Sequence, residues 1–262
     1  MPIAEQNCCE ILQDDTHNFK SWCSQIGLEL NINKCKVISF SRAKQHNIIR
    51  FDYKINDVSI ERVDTINDLG LILNKKMNFN DDCTFRISKA KSMAGFVKRQ
   101  MSELRDMEVL KTLYVSLVRS QLEYCTQVWS NTSLSNKNRI ESIQRRFTKL
   151  IAPRELSYDE RCNRLNFMTL ENRRNLFMIM FCFDVIEGYV QSSEILYKLN
   201  FLCSPRQFRS STTFRLDHHT TNYGQTDPVY NMMFEFNKIS HLYQPGISRF
   251  IFKNNIIEFL NN

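Results

Sequence analysis

Six glycines and five prolines in 262 residues are very few, and this scarcity of turn formers constrains the fold more than any other feature of the chain. Sandwiches, propellers and collagen-like chains need these residues at their turns or along their repeats, whereas long helices joined by modest loops do not. Hydrophobic residues make up 42% and charged residues 24% of the sequence, an ordinary globular mixture that argues against wholesale disorder. The length allows one or two domains of roughly 150 residues.

The pattern changes once along the chain. Residues 5–26 read as an amphipathic helix with Cys8, Leu12, Phe19, Trp22 and Ile26 near one stripe, and Gly27 suits its C-cap. A strand is expected near 34–40, within LELNINKCKVISF. Alternating apolar residues on both sides of Asn56-Asp57 predict a short hairpin, and a further strand is expected at 68–73, containing Gly70. From Asp82 onward the period is helical. Candidate helices cover 83–101, with Met93, Phe96 and Val97 as core candidates, and 107–129, where apolar residues from Leu110 to Trp129 recur at three- and four-residue steps. A third covers 137–151, with Ile140, Ile143, Phe147, Leu150 and Ile151 on one face and Pro153 ending it. The span 170–190 is apolar on nearly all sides, as in a buried central helix. Asp227-Pro228 is an N-cap and first-turn pair for a helix at 228–240, which Pro245-Gly246 closes. The expected class is α+β and mostly α, a small strand and hairpin unit followed by a helical remainder.

Nine cysteines, an odd number scattered from Cys8 to Cys203, contain no C-x-x-C pair and read as reduced thiols rather than a zinc ribbon or disulfide scaffold. The amino terminus lacks the pattern of a signal peptide. The most apolar run, Leu176 to Phe183, is far short of the roughly 20 residues that cross a bilayer. The expectation is a soluble intracellular chain, in cytoplasm or nucleus, without a membrane partner.

Formal net charge is +7, and its distribution is more informative than its size. Residues 86–154 hold fourteen Lys or Arg against five Asp or Glu, a net of +9, so the rest of the chain is slightly acidic. On the helix at 83–101 the cations are Arg86, Lys89, Lys91, Lys98 and Arg99; on that at 137–151 they include Arg139, Arg145, Arg146 and Lys149. A merely solvated face usually mixes both signs. A surface that tracks phosphates uses such an imbalance, releasing counterions on binding. Lys89, Lys91, Lys98, Arg99, Arg139, Arg145, Arg146 and Lys149 are therefore the candidate nucleic-acid-binding residues.

Catalytic signatures are missing. The sequence has no Walker loop, G-x-G-x-x-G, G-x-S-x-G or H-E-x-x-H. His218-His219 are neighbours whose side chains point apart, which does not favour a metal site. Two-metal chemistry needs carboxylates converging on ions about 4 Å apart. Asp14-Asp15 lies mid-helix, where consecutive side chains splay by about 100°, and Asp81-Asp82 reads as the loop and N-cap before the next helix. No catalytic or metal-binding residues are assigned, and no cofactor is expected.

Taken in order, LQ-D-D…W (12–22), GLELNINKCKVISFSR (27–42), the Tyr53-Lys54-Ile55-Asn56 hairpin, Asp68-Leu69-Gly70-Leu71, Gly95-Phe96, LVRSQLEY (117–124) with Val128-Trp129, and IQRRF (143–147) resemble the reverse transcriptase of jockey-type non-LTR retrotransposons. The resemblance runs along nearly the whole chain, and order and spacing make it specific where single pieces are not. It implies the end of a polymerase palm at 1–82, a basic helical thumb at 83–155 and a helical carboxyl-terminal region at 156–262. Lys34 would take the place of the motif D lysine, and Leu69 and Gly70 that of the primer grip. In that family two carboxylates of a Tyr-x-Asp-Asp turn bind the catalytic metals. No such turn occurs in these 262 residues, and the resemblance would place it upstream of Met1. The expectation is then a reverse-transcriptase fragment without polymerase activity by itself, Mg²⁺ being the cofactor of the full-length family enzyme only. Its partners would be the backbone of an RNA–DNA hybrid or duplex, which a thumb reads by shape and phosphates, and a missing upstream polymerase segment. The alternative is a retained non-catalytic nucleic-acid-binding module or a helical interaction protein.

Overall fold

The computed structural model describes residues 5–41, 49–101, 106–130, 132–153, 155–202 and 212–261. Arg42 of the resemblance segment, His46, Arg105, Arg154 and Cys203 lie outside them. The fold is α+β and mostly α. It comprises two compact units, Met1–Asp82 and Cys83–Asn262.

The first unit opens with helix α1, Gln6–Gln25, and Gly27 at φ 77° follows its end, a conformation glycine adopts without strain. Three two-stranded sheets follow. Strand β1 (Lys36–Val37) pairs in parallel with β4 (Glu61–Arg62). Strands β2 (Lys54–Ile55) and β3 (Val58–Ser59) form the hairpin expected at Asn56-Asp57, whose φ angles of 49° and 62° are those of a type I′ turn. Gln13 on α1 ties this hairpin down, its Nε2 donating to the Lys54 carbonyl and its Oε1 accepting from the Lys54 N–H, both at 2.8 Å.

Two expectations fail here. The span 68–73 is not one strand: β5 (Thr65–Asp68) turns through Leu69-Gly70 into β6 (Leu71–Asn74), because both residues take positive φ, 47° and 83°. On α1 the buried side chains are Cys9 and Cys23, whereas Phe19, Trp22 and Ile26 of the expected stripe are each about half exposed. Buried Cys9, hydrogen-bonded to Tyr53, and Gln13 lie one turn apart on the face that meets the hairpin, and the aromatic stripe is left outside.

Helix α2 runs Asn80–Gln100, so Asp81 and Asp82 occupy its first turn rather than a preceding loop. Asp82 accepts from the Ile72 N–H at 3.0 Å and Asp81 from Asn74 at 2.9 Å, while both carboxylates favour the positive end of the helix dipole. Of the core candidates on α2, Val97 is buried, Met93 is intermediate and Phe96 is 40% exposed.

In the second unit, the expected helix at 107–129 is broken. It comprises α3 (Met107–Leu113), a π turn (Tyr114–Arg119), α4 (Ser120–Glu123) and α5 (Thr126–Trp129), with Cys125 left-handed at φ 53° between the last two. Leu110, Tyr114, Val118, Leu122 and Thr126 are buried at successive four-residue steps. In a regular helix each such step overshoots a full turn by about 40°. The wider π turn takes up this drift and keeps the buried row facing one way.

Helix α6 (Leu134–Ile151) ends before Pro153 as expected, with Ile140, Ile143, Phe147 and Ile151 buried but Leu150 exposed. Short α7 (Tyr158–Arg164) begins with a Ser157–Glu160 capping box, and α8 (Leu170–Ile186) is the buried centre. Then come α9 (Ser193–Lys198), α10 (Asn222–Gln225), α11 (Pro228–Lys238), capped by Asp227, and α12 (Arg249–Asn261). Leu176, Ile179 and Phe183 of α8 meet Met232 and Phe236 of α11 and Phe252 and Ile256 of α12 in one apolar core.

A buried polar hub joins α6 to this interior. Gln144 accepts from the Tyr114 hydroxyl at 3.2 Å and donates to the Tyr158 hydroxyl and the Met168 carbonyl, both at 3.0 Å. Glu141 accepts from the Tyr158 hydroxyl and from the Leu170 and Glu171 N–H groups at 3.0 and 3.2 Å, so its charge sits at the N-terminus of α8. Burial foremost, and then the Glu141 carboxylate, push the Tyr158 phenol far above its ordinary range.

Candidate nucleic-acid interface

Lys91, Ala94, Gly95 and Lys98 stand at i, i+3, i+4 and i+7 on α2, a spacing that puts them on one face. Ile143, Arg146, Phe147 and Leu150 repeat this spacing on α6, with Lys149 beside them. The structure sets the two faces along an open groove of about 450 Å³. Buried Ile143 and Phe147, with Ala94, Gly95 and Leu150, give it an apolar lining, and Lys91, Lys98, Arg146 and Lys149 supply four exposed cations. Among the described residues no carboxylate pairs with any of these four.

Gly95 has a direct part in this shape. A Cβ built on it would lie 3.7 Å from Arg99 Nη1, an ordinary contact, so the glycine leaves the groove open there without being sterically required.

All eight candidate cations are exposed, but the groove gathers only half of them. Lys89 lies over the Phe85 ring, 4.5 Å from its centroid. Arg139 donates to Asn136 Oδ1 at 3.0 Å, Arg145 sits 5.1 Å from the Tyr158 ring centroid, and Arg99 lies beside Gly95. Arg86 is buried, with its guanidinium 4.7 Å from the centre of the Tyr124 ring. The charge count marks the basic stretch but does not separate the groove cations from Lys89, Arg139 and Arg145, which neighbouring rings and an amide engage. The repeated i, i+3, i+4, i+7 spacing on both helices is the signal that could have singled out Lys91, Lys98 and Arg146, though not Lys149.

In the first unit, Lys34 ends a short 3₁₀ turn, Ile32–Lys34, and is exposed. Leu69 and Gly70 form the tip of the β5–β6 hairpin, where Leu69 is 88% exposed. The eight described cysteines are free thiols. Among the described residues no group of three or more His, Cys, Asp or Glu side chains is placed to hold a metal ion, and no helix is long and apolar enough to cross a membrane.

Over 140 residues the chain is 26% identical to a transposon-derived protein of Caenorhabditis elegans. The match covers 52% of this chain and 50% of that protein, so the chain spans about half the length of the relative it matches. This similarity supports a transposon origin. No family model matches the chain, and no solved structure matches it significantly.

Proposed function

We propose that the chain is the thumb-bearing part of a non-LTR retrotransposon reverse transcriptase, and that the groove between α2 and α6 holds the sugar–phosphate backbone of a template–primer duplex. The observation that carries this reading is the set of four exposed cations, Lys91, Lys98, Arg146 and Lys149, gathered on one groove with no described carboxylate against them. Cations so placed attract phosphates without reading bases, as duplex positioning requires. The resemblance of LVRSQLEY and IQRRF, and the similarity to a transposon-derived protein, support the same reading. Because the sequence holds no Tyr-x-Asp-Asp turn, the chain by itself binds and does not polymerise.

The test is binding of a fluorescent RNA–DNA hybrid by the full chain across a salt series, beside a primer-extension assay with Mg²⁺. The reading predicts no extension and an affinity that falls steeply with salt. Each cation removed from the groove should make the log–log slope shallower by about 0.9. An affinity indifferent to salt selects instead a helical interaction protein whose basic faces stay solvated. That second reading has one observation in its favour, the engagement of Lys89, Arg139 and Arg145 with neighbouring side chains.

A further inference from the structure

The second unit has another open cleft, of about 510 Å³, whose lining includes Arg119, Phe167, Arg173, Phe177, Lys253 and Ile257. From it we infer a binding site for a nucleoside phosphate, with the phosphate on the three cations and the ring body against the apolar wall. This site is independent of the α2–α6 groove.

The charge balance is the first argument. Glu123 lies between the two guanidiniums, 3.6 Å from Arg119 and paired at both oxygens with Arg173, whose Nη2 donates at 3.0 Å. One carboxylate against Arg119, Arg173 and Lys253 leaves two positive charges, and among the described residues no carboxylate pairs with Lys253. Arg119, Glu123 and Arg173 are only 13%, 14% and 21% exposed at their side chains, so the one surplus charge among these three is poorly screened, while the other, on Lys253, is exposed. Burial first, and then the neighbouring Arg173, work against the charge on Arg119. An anion in the cleft relieves both.

The second argument is preorganisation. The Arg119 guanidinium lies 5.6 Å from the Phe167 ring centroid and that of Arg173 lies 5.2 Å from Phe177, and such stacking fixes the donor planes before a ligand arrives. The π turn Tyr114–Arg119 delivers Arg119 to the cleft, and single π turns inside helices often accompany functional sites. The third argument is shape. Phe177 and Ile257, both half-buried, offer apolar surface in the cleft on which a flat ring can pack, and Asn166 adds an amide to the lining.

Calorimetric titration of the full chain with AMP, adenosine, inorganic phosphate and a 5′-phosphorylated dinucleotide tests the proposal. Saturable AMP binding is expected, at least tenfold tighter than phosphate, with none for adenosine. Lys253→Gln, at an exposed position, should weaken AMP at least fivefold, and Phe177→Leu should remove most of the advantage over phosphate. Tighter binding of the dinucleotide than of AMP identifies a strand end as the source of the ligand, and equal binding identifies the free nucleotide. Replacing the four groove cations should leave AMP binding intact, and Lys253→Gln should leave the salt slope for the hybrid intact, so this proposal and the groove reading fail separately. Absence of saturable AMP binding at millimolar concentration, or AMP affinity unchanged in both variants, overturns it, as does phosphate binding as tightly as AMP.

Discussion

The two units are built by different means. Among the described residues, four apolar side chains are buried in the first unit, Cys9, Cys23, Tyr53 and Ile55, against thirty-two in the second. Beside those four, the first has polar ties to backbone and short strands: Gln13 to Lys54, Asp82 to Ile72, and Arg62 to the Ser39 hydroxyl and the Phe51 carbonyl. Each such bond is worth about 1 kcal/mol net, because water competes for the same groups. The second unit adds a continuous apolar interior, for which the buried area of each large side chain contributes about 1.5–3 kcal/mol. A basic groove needs a rigid frame, and the groove described here lies on the unit that has one.

The largest expected consequence is in hydrogen exchange. Amides of α6 and α8 should be protected about a thousandfold more than those of α1 and the β5–β6 hairpin, which corresponds to roughly 4 kcal/mol in opening free energy. Equal protection in both units would mean that a few buried side chains with polar ties stabilise as well as a packed interior.

Next in size is the buried hub. Glu141→Ala removes the acceptor of Tyr158 and of two N–H groups at the start of α8, and should lower the stability of the second unit by about 3 kcal/mol in urea unfolding. A loss under about 1 kcal/mol would show that the apolar interior suffices without it.

An alkaline titration tests the first unit by itself. Burial first, and then a hydrogen bond with the Cys9 thiol, push the Tyr53 phenol up to about 12. The neutral phenol is the form the fold favours. Its contribution is therefore complete below the ordinary value of 10 and is lost as pH rises from there through about 12. Tyr53→Phe should flatten the stability of the first unit across that window, as followed by circular dichroism. An unchanged profile would show that ionisation of Tyr53 does not limit the stability of the first unit.

The smallest effect is a gain. Gly95→Ala should stabilise the second unit by roughly 0.4–1 kcal/mol, because the helical backbone suits alanine and the added methyl group meets only an ordinary contact. A measured loss would mean that α2 and α6 approach each other more closely there than the geometry states.

Much of the fold was legible where one local rule settles the outcome. Asn56-Asp57 marks the hairpin, Gly27 the end of α1, Pro153 the end of α6, and Asp227-Pro228 the start of α11. Local rules failed where tertiary packing decides between alternatives. The aromatic stripe of α1 has the right period, yet the helix buries Cys9 and Cys23 and sets Gln13 against the hairpin instead. Leu69-Gly70 sits in a run that reads as a strand, because leucine rarely adopts the left-handed backbone it has there. The buried row from Leu110 to Thr126 keeps a period that hides the π turn, and Glu141 and Gln144 look in sequence like members of a solvated face. The basic stretch was legible as a count of charges. Its division into a groove quartet and four other cations was not, because it depends on which side of α2 meets α6.

That division gives the most direct test of the groove reading. The salt slope for hybrid binding should be measured for two quadruple variants of the full chain, one replacing Lys91, Lys98, Arg146 and Lys149 by Gln, the other Lys89, Arg99, Arg139 and Arg145. The groove reading predicts that the first loses most of the slope and the second little of it; equal losses in the two, or a greater loss in the second, would contradict it.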